Sequence, residues 1–335
     1  MVTSSVKNEV LLLAVAGLMS CSFSGVQFFR EAGEDTDITA IAPPIAAATV
    51  SVDALLQRQQ TGSPLETTVQ KQTGLAAQVN GEPIPLVSYD RQVNSLKLAL
   101  QAQGLDPDSA VGQARLSQLK QQLLDGLIEQ KIIEQQAKLL GVEATEAEVE
   151  AQAEVVQAQL PDEQFEAWLT ENGLTNDSFL TDLQAELSAA KLFDQVTKEA
   201  PTHAEQVLLR VIRVKDQAVA QQVVEQLKLG ASFEDQAQAY SQDEATRANG
   251  GLLGWLPAGL NIVPSEVKQV AFSMQPGDMS GPVATGSGFF IMKVDDRAAN
   301  RELTETQRQQ FKKQIFTDWL KQQWDTATIE RFVNM

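Results

Sequence analysis

From about residue 86 to residue 199, apolar side chains return every three or four positions, the period of helices with one buried face. A helix begins after Leu86 and carries Val93, Leu96, Leu98 and Leu100. Leu116, Leu119, Leu123 and Leu127, with Leu124, Ile128 and Ile132, predict a long helix over about 110–140, which Gly141 ends. Thr145-Glu146-Ala147-Glu148 has the form of a capping box and opens the next helix. Pro161 starts a short helix that Gly173 stops, and Asn176–Glu199 forms another with Phe179, Leu183, Leu187 and Phe193 on its apolar side. Ahead of these, Ala76–Ile84 reads as a short strand and a turn at Asn80-Gly81. Such stripes are ordinary core, and nothing in them marks a cofactor box.

After residue 200 the pattern changes. Glu205–Val211 reads as a strand, and a helix ending at Leu229-Gly230 follows it. Thr304-Glu305-Thr306-Gln307 is a second capping box. It opens a helix with Phe311, Ile315, Phe316, Trp319 and Leu320, a face too apolar to be solvated, and Thr328–Val333 reads as a terminal strand. Pairing of Ala77–Val79 with Ile329–Val333 would tie the two ends of the helical part together.

The N-terminus has another character. Val10–Met19 is an apolar run of ten residues, too short for the ~20 that span a bilayer, and suited to the apolar segment of a signal peptide. Leu18-Met19-Ser20-Cys21 follows at once and resembles a bacterial lipobox, in which the cysteine is lipidated; the alternative is an ordinary exported or buried cysteine. Residues 22–74 lack periodicity and include Pro43-Pro44, Gly62 and Pro64, the composition of a tether with one short helix near Val52–Gln60.

Composition narrows the function. The chain has 335 residues, room for two domains, and 43% apolar residues, enough for real cores. A net charge of −18 disfavours nucleic acid and tight electrostatic docking on anionic lipid, and suits solubility. One cysteine, Cys21, and one histidine, His203, leave no basis for a zinc site, a disulfide framework or a Cys–His pair. A Ser-His-Asp triad would have to use His203, and no nucleophile elbow lies near it.

Six pieces between residues 201 and 297 occur in a telling order: the strand around Glu205–Val211, Leu229–Asp235, Tyr240–Asp243, Gly250-Gly251-Leu252-Leu253-Gly254-Trp255, Met274–Val283 and Gly286–Val294. Together they resemble a parvulin-type (PpiC-like) peptidyl-prolyl isomerase domain. Val79-Asn80-Gly81 with Ile84, followed by helices, resembles the N-terminal domain of SurA-like and PrsA-like chaperone foldases. The resemblance implies an α+β protein: a mainly helical chaperone-like domain with an inserted parvulin domain, a small antiparallel sheet flanked by helices. The implied organisation is a signal peptide over 1–21, a tether over 22–74, a helical domain over 75–200, the isomerase-like domain over 201–297, and a segment 301–335 that packs back on the helical domain.

It also implies a site. In the parvulin family a Leu, a Met and a Phe grip the proline ring, with two histidines and an Asp or Cys across from them. Here the leucine position falls on Leu253, the methionine near Ile262 and the phenylalanine near Val267, with Phe272 and Phe290 completing the substrate-binding set. Asp243 keeps the acidic position, and Thr285 and Ser287 match the hydroxyl residues before the last strand. Both histidines are replaced, by Gln206 in the first strand and Phe290 in the last, and the Asp of the family's Gly-Gly-Asp-Leu-Gly motif is Leu252. The implied function is an extracytoplasmic, lipid-anchored bacterial foldase that isomerises X–Pro bonds and chaperones exported polypeptides, without cofactor or metal. The alternative is a parvulin-fold chaperone with weak or no isomerase activity.

Overall fold

The computed structural model describes residues 74–158, 161–171 and 174–333. Cys21, the expected tether up to residue 73, the helix near Val52–Gln60 and Gly173 lie outside the described residues. Within them the fold is helical with two small sheets, in agreement with the α+β expectation. The chain divides into two compact units.

The first unit comprises, among the described residues, 74–193 and 320–333. Strands β1 (Leu75–Val79) and β2 (Glu82–Pro85) form a hairpin closed by Asn80-Gly81. Both turn residues have positive φ, 51° and 86°, the conformation a two-residue hairpin of this hand requires. Helices α1 (Leu86–Ala102) and α2 (Ala110–Leu139) follow. Helices α3 (Glu146–Gln157), α4 (Asp162–Glu171) and α5 (Asn176–Thr197) share a core of Val149, Val156, Phe165, Leu169, Phe179 and Leu183. Both bonds of the capping box are present at α3: the Glu148 N–H donates to Thr145 Oγ1, and the Thr145 N–H donates to Glu148 Oε2. Lys191 reaches the same carboxylate at 2.8 Å, and these donors hold the Glu148 pKa down to about 2.

The last strand, β7 (Ile329–Arg331), pairs antiparallel with β1, Ala77 opposite Arg331 and Val79 opposite Ile329. Arg331 reaches the buried Asp125 of α2 at 2.8 Å. The Asn80 N–H donates to the Thr328 carbonyl, and the Thr328 N–H donates to Asn80 Oδ1, each at 2.8 Å.

The second unit comprises residues 194–319 among the described residues. Its four-stranded sheet has the order β4 (Leu252–Pro257), β3 (His203–Val214), β6 (Gly288–Glu302), β5 (Val283–Thr285), all neighbours antiparallel. Alternation along β3 sorts the core. Val207, Leu209 and Val211 join Leu256, Met292, Val294 and helix α9 (Ser265–Ser273) on one face. Ile212 and Val214 join Ile291 and helices α6 (Gln217–Lys228) and α7 (Phe233–Tyr240) on the other.

The final helix, α10 (Glu305–Thr326), differs from expectation. The boundary between units falls inside it, after Trp319, and not near residue 301. Phe311 is buried with Leu260 and Leu303, while Gln307 and Gln314 donate to the carbonyls of Trp255 and Gly259. Those contacts hold the first part of α10 to the sheet unit. Its aromatic face was legible in the sequence; its partner was not.

Candidate active site

The C-terminal end of β3 is where separate segments converge. In register, Arg213 faces Phe290 of β6, and Phe290 faces Val283 of β5, so one row crosses three strands. Val211 and Phe290 belong to the same buried cluster, on the face that α9 covers. The segment that leads to Asp243 is fastened to this strand end by three bonds. The Gln242 N–H donates to the Arg213 carbonyl at 2.7 Å, the Arg213 N–H donates to Ser241 Oγ at 3.3 Å, and Arg213 Nη2 donates to the Gln242 carbonyl at 2.9 Å.

Asp243 then occupies the N-cap position of a single-turn helix, α8 (Glu244–Arg247). Its N–H donates to Ser241 Oγ at 3.2 Å, and its Oδ2 accepts a hydrogen bond from the buried Thr246 hydroxyl. The carboxylate is half-buried, and Oδ1 makes no hydrogen bond among the described residues. One oxygen is therefore committed to positioning and the other is open to a donor.

The turn from α8 into β4 lies against β3. The Val211 N–H donates to the Gly251 carbonyl at 2.8 Å. Gly251 has φ +77°, and a Cβ there would stand 2.5 Å from the Val211 carbonyl oxygen, so only glycine fits. Leu253 follows at a β-bulge, where the pairing of β3 with β4 slips between Gly254 and Leu252. Bulges of this kind re-aim side chains beside sites, and Leu253 is 37% exposed.

The third segment is the β5–β6 hairpin. Thr285 pairs with Gly288 at its tip, the Ser287 N–H donates to Thr285 Oγ1 at 3.2 Å, and Thr285 Oγ1 donates to the Gly288 carbonyl at 2.9 Å. A Cβ on Gly288 would lie 2.5 Å from the Val214 carbonyl oxygen, which brings this tip to the end of β3 as well. A carboxylate, two hydroxyls and exposed apolar side chains without a nucleophile–base pair suit noncovalent work on a neutral amide.

The sequence matches the model of the PPIC-type PPIase domain over residues 211–296 and that of the SurA-like N-terminal domain over residues 55–193. A foldase protein PrsA of Caldanaerobacter subterraneus subsp. tengcongensis is 30% identical over 231 residues, 66% of this chain and 73% of that protein. The chain belongs to the PrsA family of foldases. Foldase protein PrsA 2 of Listeria monocytogenes is 32% identical over 178 residues, 50% of this chain and 58% of that relative. Among solved structures, PrsA of Bacillus anthracis is 20% identical over 61% of this chain and 96% of its own, with a TM-score of 0.45. As in other PrsA foldases, an isomerase-type domain is combined here with a SurA-like helical domain.

Among the residues the sequence singled out, Asp243, Thr285, Ser287 and Phe290 come to one end of the sheet. Gln206 does not. It pairs with Pro257 and Ala298, and Ala298 is eight residues along β6 from Phe290, roughly 26 Å at the strand rise of ~3.3 Å per residue. Gln206 is fully buried, and its Nε2 donates to the carbonyls of Arg301 and Glu302 at 3.1 and 3.3 Å, beside a register slip between Ala204 and Gln206. It patches an irregular ladder.

A paired function needs neighbours, and the β3 residue that faces Phe290 is Arg213; Val211, where the isomerase-domain match begins, faces Met292 and shares the buried cluster with Phe290. Val267 also departs from expectation: α9 carries it into the core at 0% exposure, so no substrate reaches it. Phe290, at 8% exposure, is core more than surface, and Phe272 is only partly buried against the same cluster. Leu253 and Ile262, the latter 47% exposed, are the expected pocket residues with the most open apolar surface.

Val211, Arg213, Ser241 and Thr246 were missed. Thr246 follows Asp243 by three residues, the spacing of a helix-capping pair, and that was the available signal. His203 sits exposed at the start of β3, its ring beside the Thr202 hydroxyl and far from the site.

Proposed function

We propose that this protein is an extracytoplasmic foldase, held to a membrane by a lipid on Cys21, that binds X–Pro segments of exported polypeptides and isomerises them weakly. The amide barrier is ~18–20 kcal/mol, and it falls when water is stripped from the carbonyl and the twisted amide is favoured electrostatically. Leu253, Ile262 and Phe272 supply apolar contact for a proline ring. Asp243, with Oδ2 committed to Thr246, offers Oδ1 to an N–H of the substrate, and Thr285 and Ser287 line the opposite rim.

The observation that carries this reading is the fastening of Asp243 to β3 through Arg213 and Ser241 within a PPIC-type domain. A protease-coupled assay on short X–Pro peptides tests it, with Asp243→Ala as the comparison. Activity that the variant leaves untouched rules out this placement.

A second reading is a parvulin-fold chaperone without isomerase activity. Phe290, at a position where the resemblance implies a histidine, favours it, since its buried side chain forms no hydrogen bond. Suppression of client aggregation with no measurable isomerase activity selects this reading. For the anchor, mass spectrometry of the protein from its native host is decisive: acylated Cys21 with residues 1–20 removed is the expected product.

A further inference from the structure

The helical unit contains a cavity of about 580 Å3 that the isomerase chemistry leaves unused. One face of α1 builds most of its wall: Tyr89, Val93 and Lys97 at four-residue steps, with Asp90 and Asn94 beside them. Helix α2 adds Lys120, and Val333 just beyond β7 completes the lining.

The charge of this cavity runs against that of the chain. The sequence carries −18, yet here two lysines face one aspartate. Neither Lys97 nor Lys120 makes an ion pair or hydrogen bond among the described residues. Both are half-buried on the α1–α2 surface. Tyr89 is 4% exposed and its hydroxyl is buried without a hydrogen-bond partner. Burial, and then the charge of Asp90, push its phenol above the usual pKa, so it remains a donor at neutral pH.

A ligand must answer this mixture. Two cations against one anion leave room for a single negative charge. A phosphate dianion would leave Asp90 facing more negative charge, whereas a monoanion with an adjacent N–H gives Asp90 a donor to accept from. Val93 and Val333 ask for an apolar group at the same place. A polypeptide's C-terminus carries all three: one carboxylate, an amide N–H beside it and a terminal side chain. Capture of a terminal carboxylate is a recurrent mode of peptide recognition.

We propose that this cavity binds the free C-terminal carboxylate of a client polypeptide, with Lys97 and Lys120 on the carboxylate, Asp90 or Asn94 on the last amide, and Val93 and Val333 against the last side chain. The inference rests on the foldase reading for its class of ligand. It adds a selection that an X–Pro site lacks: an internal Asp or Glu can offer a carboxylate, but only a chain end sets one directly beside the last amide N–H and the last side chain, so the helical unit prefers chain ends.

Fluorescence anisotropy on the full chain tests this with a labelled hexapeptide ending in leucine, as the free acid and as the C-terminal amide. The acid is expected to bind at least about tenfold more tightly than the amide, the difference one charge-assisted pairing makes. Lys97→Ala with Lys120→Ala is expected to remove that preference, and Lys97→Arg with Lys120→Arg to keep it; circular dichroism checks that both variants fold. Equal binding of acid and amide overturns the proposal, as does an alanine double variant that still prefers the acid. Inorganic phosphate displacing the peptide better than acetate does also overturns it, since the site is then one for phosphate. The aggregation assay separates two failures. A wild-type chain that neither isomerises nor protects a client sinks the foldase reading, while one that protects but shows no acid preference sinks this inference alone.

Discussion

At the N-terminal end of β3, Gln206 is wholly buried and gives its amide to two backbone carbonyls of β6. At the other end, seven residues on, Arg213 faces Phe290 and holds the Asp243 segment through three bonds. Both ends carry a polar residue in a strand, and only one belongs to the proposed site. At Gln206 the polar atoms turn inward to mend a slipped ladder, and Oε1 is left buried without a partner. At Arg213 the guanidinium Nη2 donates to the Gln242 carbonyl, next to the helix cap at Asp243. What distinguishes the proposed site is convergence of segments from different parts of the chain, and polarity alone does not reveal it.

Phe290→Ala should have the largest effect, because it opens a cavity in the core under the site and costs about 3–5 kcal/mol; thermal unfolding measures it. A loss under 1 kcal/mol would mean that the Phe290 end is not a packed end at all. Gly251→Ala comes next. Its φ of +77° and the Val211 carbonyl 2.5 Å from the new Cβ should destabilise the chain by on the order of 3 kcal/mol, with the isomerase activity falling alongside. Unchanged melting would break the account of the turn against β3.

Asp243→Ala should lower isomerase activity about fivefold, the worth of one hydrogen bond of ~1 kcal/mol, and leave aggregation suppression intact. The smallest effect belongs to the far end. Gln206→Leu trades two hydrogen bonds against an unpartnered buried oxygen, so stability should move by no more than ~1 kcal/mol and isomerase activity not at all. If Gln206→Leu abolished activity while Asp243→Ala did not, the two ends would have to be exchanged.

Element positions were largely legible. The helix expected over 110–140 spans Ala110–Leu139, and both capping boxes are formed, because period and capping chemistry are local. The family and the α+β class followed from ordered motifs. Register was not legible. Two slips interrupt the pairing of β3 with β6, and strand residues change face with each single-residue shift, so sequence spacing could not say that Arg213 faces Phe290. Nor could residue type tell Val267, sealed under the sheet, from Ile262, half open in the preceding loop. The destination of the α10 aromatics stayed hidden for the same reason: Phe311 meets Leu260 and Leu303 only after the chain has folded around them.

The pairing of β1 with β7 sets a schedule for synthesis. A chain made from its N-terminus presents Ala77 and Val79 about 250 residues before Ile329 and Arg331 exist to bond them. Until then β1 has an open edge, Asp125 lacks its arginine, and Asn80 lacks Thr328. The sheet unit, continuous from residue 194 to 319, has no such wait and can close as soon as it emerges. A foldase of this design would complete its own smaller sheet last, and for that interval its helical unit would be a client in need of the protection it later gives.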